Sequence, residues 1–169
     1  VYTVGGGPYT TNSILDLSVA QLALGARQIP VEVVCAWERT VVDLDLKLFV
    51  RHTAWVKAVK YWAALRFDDC RWVEVPSLRF DEGGLKMKLE RTKTTGPGKK
   101  VEQLLAYVGP DAYFEEKDWL GIGWRAAREI FGQAPFFLPL PGEGLTSAVR
   151  RAAGYGEASA CSQALYNAL

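Results

Sequence analysis

Apolar positions recur at helical spacing from about residue 12 to Leu65. The stretch "TNSILDLSVAQLALGARQ" predicts a helix over 12–25, with Asn12 or Ser13 as its cap and Gly25 as its stop. Pro30 suits the first turn of a second helix, "PVEVVCAWERTVV", over 30–42. A third is predicted over 44–65. There Leu48, Trp55, Val59 and Trp62 form one stripe, and Arg51, Lys57 and Lys60 lie off it. Such an aromatic stripe is core packing.

After Arg66 the period changes. "VPSLRF", "LKMKLERT" and "KKVEQLLAYV" are short, and in the middle one Leu85, Met87 and Leu89 alternate with Lys86, Lys88 and Glu90. Alternation of period two puts the apolar side chains on one face of a strand and the charges on the other. Residues Asp81 to Gly84 supply a hairpin turn, and "TTGPGK" a longer loop. Three antiparallel strands are therefore expected over 77–108. Beyond them, "DWLGIGWRAAREIF" predicts a helix capped by Asp118, weakened by Gly121 and Gly123. "APFFLPLPGEG" reads as an extended, proline-punctuated connection, and "GEASACSQALYNAL" as a closing helix. Helices, then strands, then helices give an α+β fold, a helical bundle with a small three-stranded antiparallel sheet inserted. Residues 1–10, with their Gly-Gly-Gly-Pro break, read as a flexible lead-in to a single domain over 11–169.

Composition narrows the class. Nearly half of the 169 residues are apolar and 12% are aromatic, the opposite of a disordered chain. The net charge of +1 decides nothing about nucleic acid, but its distribution does. Between Gly83 and Lys100, six cations (Lys86, Lys88, Arg91, Lys93, Lys99 and Lys100) face one acid, Glu90. That hairpin is the candidate nucleic-acid-binding element. Cys35, Cys70 and Cys161 are scattered, and His52 is the one histidine, so neither a disulfide framework nor a metal site is expected. A reducing compartment is the default. No apolar run reaches the length of a membrane span. A chain that begins at Val1 reads as a processed or excised piece.

The chemistry concentrates in "LRFDDCRWVEVPSLRFDEGGLKMKLERTKTTGPGKK", residues 65–100. A phosphodiester in reaction carries extra charge on its non-bridging oxygens. Arginine clamps two of them with a planar fork, and lysine adds a point charge or a proton. Arg66 at a helix end and Lys93 on a hairpin loop suit those two roles. Asp69, three residues on, can hold the guanidinium or a neighbouring side chain. By spacing alone an Arg-x-x-Asp at a helix end is usually a local salt bridge, and a loop lysine is usually solvated.

The stretch resembles the catalytic domain of tyrosine recombinases, the phage-integrase family, in its divergent form from eukaryotic mobile elements. The resemblance lies in an apolar helix running into "ALRFDD" and in the Thr-Lys-Thr turn of "RTKTTGPGKKV". It covers roughly residues 30–110 well and the remainder loosely. It implies an integrase-like fold, DNA recombination without metal or cofactor, and a nuclear location for a DNA-acting form. It makes Arg66 the first catalytic arginine, Asp69 the supporting acid and Lys93 the lysine that assists the leaving group. The family's second motif, His or Lys, two residues, then Arg, has no counterpart. "LTSAVRRAAGYG" offers Arg150 and Arg151 but has Ser147 and Ala148 where the histidine belongs, and His52 lies upstream of Arg66. Too little chain separates Tyr166 from the arginine pair for it to be the nucleophile, so it reads as a packing residue. The expectation is the front part of a DNA breaking–rejoining domain, truncated before its second motif and inactive alone. The alternative is a non-catalytic protein with a degenerate site, serving as a subunit of an assembly. Duplex DNA is the partner in the first case and other protein subunits in the second.

Overall fold

The computed structural model describes residues 29–91, Gly98 and 104–168. The lead-in over 1–10, the helix expected over 12–25 and the loop bearing Lys93, Lys99 and Lys100 lie outside them. Among the described residues the fold is α+β: five α-helices, a three-stranded antiparallel sheet and a separate two-stranded one. The helices are α1 (Val31–Val42), α2 (Leu48–Trp62), α3 (Phe67–Arg71), α4 (Trp119–Gln133) and α5 (Tyr155–Ala168). The strands are β1 (Arg79–Asp81), β2 (Gly84–Leu89), β3 (Leu104–Val108), β4 (Pro139–Pro141) and β5 (Ala148–Ala152). None of these helices is long and apolar enough to cross a membrane.

Helix α1 begins directly after Pro30 and buries Val34, Trp37, Glu38 and Val41, one face at helical spacing. Glu32 in its first turn and Arg39 in its last complement the helix dipole. Helix α2 is the central element and packs against α1, α4 and α5. It therefore buries a wide arc, including Phe49, His52, Trp55, Val56 and Val59, instead of a narrow stripe.

Helix α2 is shorter at both ends than the apolar pattern predicts. Residues 43–47 form a turn fastened by the Asp45 N–H donating to Asp43 Oδ1, and Arg51 Nε donates across it to the Val41 carbonyl. At the other end the chain closes a Schellman motif. Ala64 takes the left-handed conformation with φ 52°, its N–H donates to Tyr61, and the Leu65 N–H donates to Lys60. The left-handed position usually signals itself by glycine. Here it is alanine, so the sequence gives no stop. Leu65, turned back into the core, supplies the accompanying apolar contact.

In the sheet, β2 lies between β1 and β3. Leu85, Met87 and Leu89 are buried, and Lys86 and Lys88 face away from the core, as the alternation predicts. Glu82 and Gly83 form the two-residue turn, with the Gly83 N–H donating to Asp81 Oδ1. Gly84 is required: its φ is +104°, and a side chain there would run into the Val108 carbonyl. The first strand is shorter than expected. Pro76 lies in a single 3₁₀ turn over Val75–Ser77, and pairing starts only at Arg79.

The extended connection expected after Ala134 is in part a second hairpin, in which β4 pairs with β5. Prolines at both ends of β4 hid it, since proline lacks a ladder donor. The core between these elements holds Trp37, Trp55, Trp119 and Phe137, all fully buried. Helix α4 forms despite its glycines. Gly123 lets the Trp55 indole lie against the helix backbone, where Trp55 Nε1 donates to the Leu120 carbonyl at 3.3 Å. Glu38, also buried, anchors the segment that leads into α4. Its carboxylate accepts the backbone N–H groups of Phe114, Glu115 and Glu116 at 2.9–3.2 Å.

Candidate functional site

Because the Schellman motif ends α2 at Trp62, Arg66 does not sit on that helix. It is the N-cap residue of the short helix α3, in extended conformation. Asp69 accepts the main-chain N–H of Arg66 at 2.9 Å, so its carboxylate fixes the start of α3 and bonds the backbone of Arg66, not the guanidinium. The Arg66 side chain is exposed, and among the described residues no carboxylate pairs with it.

The end of β2 is stitched to the segment after α3. The Glu90 N–H donates to the Trp72 carbonyl at 3.0 Å, and the Glu74 N–H to the Lys88 carbonyl at 2.9 Å. The end of β2 therefore lies against the segment that follows the helix Arg66 caps. Lys93, Lys99 and Lys100 themselves lie outside the described residues.

The other basic residues of the hairpin are partly engaged. Lys86 pairs with Asp81 at 2.9 Å and holds that carboxyl below its ordinary range. Lys88 Nζ lies 3.5 Å from Glu74. Arg91 stacks over the Trp72 ring at 5.6 Å. The pairs of Lys86 and Lys88 are solvent-accessible, so they contribute little and are readily exchanged for another anion.

Tyr166 packs against Trp37, ring centroids 6.2 Å apart, and burial pushes its phenol upward. Arg150 and Arg151 lie on β5, where Arg151 forms an ion pair with Glu157. His52, upstream of Arg66, is enclosed by Phe49, Trp55 and Phe131. Of these, His52 is buried and Arg151 is paired, while Arg150 is exposed and has no acidic partner among the described residues.

A second feature escaped the sequence reading. A cavity of about 190 Å³ opens between α2, α3, the β4–β5 hairpin and α5. Its walls are largely apolar, with Phe49, Phe67 and Leu138 among them, but His52, Lys57, Lys60, Cys70 and Cys161 also line it. Burial is the main force on each shifted group. It lowers His52 to about 3, against a small opposing effect from the Phe137 backbone, and raises Cys70 to about 12. It also lowers Lys57 to about 8, helped by the neighbouring charge of Lys60. The sequence signal was there in outline: Lys57 and Lys60 stand off the aromatic stripe at i, i+3. What was missing was the cover. No periodicity predicts that α5 and the β4–β5 hairpin fold over that face.

No family model, no curated protein and no solved structure matches this chain.

Proposed function

We propose that this chain is the arginine-bearing front part of a tyrosine-recombinase-like DNA breaking–rejoining domain and does not complete the chemistry alone. One observation carries the reading. Arg66 is an exposed cation without an acidic partner among the described residues, and the segment that follows the helix it caps is tied by main-chain hydrogen bonds to the end of β2. An arginine left unpaired on a rigid cap is available to an incoming phosphate as a bidentate donor. Lysine on an adjoining loop supplies the second charge. Across the sheet, Lys86 stands opposite Arg79 and Tyr107, and Lys88 opposite Leu105, an outward face with cationic and aromatic character. That face suits phosphate backbone contact, with Asp81 and Glu74 exchanged for phosphates.

In this reading Arg66 stabilises the charge that develops on the phosphate, Asp69 holds the helix start that aims it, and Lys93 assists the leaving oxygen. In this reading the nucleophilic tyrosine comes from elsewhere, Tyr166 lying against Trp37 with 40% of its surface exposed. A suicide duplex substrate incubated with the purified chain and resolved on a denaturing gel tests this. No covalent protein–DNA band is expected. A band that disappears in Tyr166→Phe overturns the assignment.

A second reading is favoured by β3. Among the described residues it is an edge strand with Leu104, Leu105 and Tyr107 exposed, a surface suited to adding to another protein's sheet. In that case the fold serves as a non-catalytic subunit. Loss of duplex binding in Arg66→Ala separates the two, because a structural subunit has no use for that guanidinium.

A further inference from the structure

We infer that the cavity between α2, α3, the β4–β5 hairpin and α5 is a binding site for a small organic carboxylate, whose anionic head lies against Lys57 and Lys60 and whose apolar body fills the pocket. The inference is independent of the reading of Arg66.

The charge pattern comes first. Lys57 and Lys60 occupy successive turns of α2 and both line the cavity. Among the described residues no aspartate or glutamate lines it, and neither lysine forms an ion pair. Two lysines thus share the wall of one recess, and burial partly desolvates Lys57 there. Such an arrangement is unfavourable on its own and is relieved by an anion. The titratable groups lining the cavity with Lys57 are Lys60 and His52 on its own helix, Cys70 on α3, and Tyr155 and Cys161 on α5; Asp69 and Glu157 act on the two thiols from outside the lining. With Cys70 pushed to about 12 and Cys161 also raised, neither thiol supplies the missing negative charge near neutral pH.

His52 is the second observation. It is 1% exposed, it lines the cavity, and neither ring nitrogen completes a well-formed hydrogen bond, the Phe137 backbone offering only a weak contact. Buried polar atoms are nearly always satisfied, so this imidazole is under-satisfied on the wall of a recess, and a ligand oxygen would compete with the Phe137 backbone for its N–H. The neutral ring can donate one N–H to a ligand oxygen.

Size and lining select the ligand. At roughly 30 Å³ per water, about 190 Å³ holds about six water-sized groups, which suits a ligand of about six heavy atoms. Phe49, Phe67 and Leu138 would be left against water by a strongly hydrated inorganic anion. A short-chain carboxylate covers them and still meets the lysines. Polar groups few and fixed, on an otherwise apolar wall, are the usual make-up of such a pocket.

Butyrate is the probe, titrated into the full chain by calorimetry and by saturation-transfer NMR, with inorganic phosphate and butanol as comparators. Butyrate should bind with a Kd of about 1 mM, in the range open to six heavy atoms. Phosphate and butanol should each bind at least tenfold more weakly. Lys57→Met should weaken butyrate tenfold or more, with thermal melting showing that the variant still folds. Ala158→Phe, which fills the cavity and leaves both charges in place, should abolish binding. Affinity should fall as pH rises through about 8, where the free lysine loses its proton. Butyrate binding that survives Lys57→Met or Ala158→Phe in folded protein overturns the proposal. So does phosphate binding as tightly as butyrate, or no butyrate binding at 20-fold the expected Kd.

Discussion

Gly123 lies in the middle of α4, where helix propensity alone favours alanine by about 1 kcal/mol. The tertiary structure reverses that preference. A methyl group at position 123 would overlap Trp55 Cδ1 outright, and would meet Trp55 Cγ at 2.7 Å and Val41 Cγ1 at 2.8 Å. Both partners are fully buried and neither is the free end of a flexible chain. The Trp55 indole is further held by its bond to the Leu120 carbonyl and by Trp124, Phe131 and Phe137 around it. Moving it disturbs the junction of α1, α2 and α4. Overpacking of a dense core costs about 1–3 kcal/mol, and this clash belongs at the upper end. After the propensity gain, Gly123→Ala should destabilise the protein by about 2 kcal/mol. Gly132→Ala is the internal control. It lies in the same helix, and a methyl group added there meets nothing within 4 Å. Near the helix end it should stabilise by a few tenths of a kcal/mol. Urea denaturation of the three proteins, monitored by tryptophan fluorescence and far-UV circular dichroism, gives the comparison. A Gly123→Ala protein as stable as wild type would refute the account of how α4 meets Trp55.

Glu38→Ala strips the acceptor from the N–H groups of Phe114, Glu115 and Glu116; because those residues are partly open to water, a loss of about 2–4 kcal/mol is expected by urea denaturation. His52 in the folded protein sits at about 3, below its ordinary 6.5, so between those values the unfolded chain holds the extra proton. Stability should therefore fall as pH drops below 6.5, by up to about 1.4 kcal/mol per pH unit from this residue, and a His52→Leu variant should lose that part of the slope. Duplex DNA binding should weaken steeply with salt. Replacing Lys86, Lys88, Lys99 and Lys100 together by glutamine should reduce the log–log slope by up to about 0.9 per lost phosphate contact, and a salt-independent affinity would count against the basic face.

The sequence by itself determined the elements whose burial pattern is local. The alternation of Leu85, Met87 and Leu89 with Lys86 and Lys88 fixes which face of β2 is inside, because a shift of one residue would expose every apolar side chain. The turn at Glu82–Gly83, the start of α1 at Pro30 and the closing helix α5 were legible for similar reasons. Of the candidate site, the sequence supplied Arg66, Asp69 and the basic hairpin as residue types in order. Only the folded chain decided what they touch. Asp69 bonds the backbone of Arg66 because the Schellman motif at Ala64 ends α2 early and starts a new helix, and an alanine in that conformation leaves no local mark. The β4–β5 hairpin was hidden by its prolines, since pairing at a proline-rich edge depends on a partner strand and not on propensity. That hairpin and α5 together cover Lys57, Lys60 and His52, so the cavity exists only where elements distant in sequence converge. Periodicity records which side of an element is buried. It does not record what is laid over it, and burial by distant elements is what moves Lys57 to about 8 and His52 to about 3.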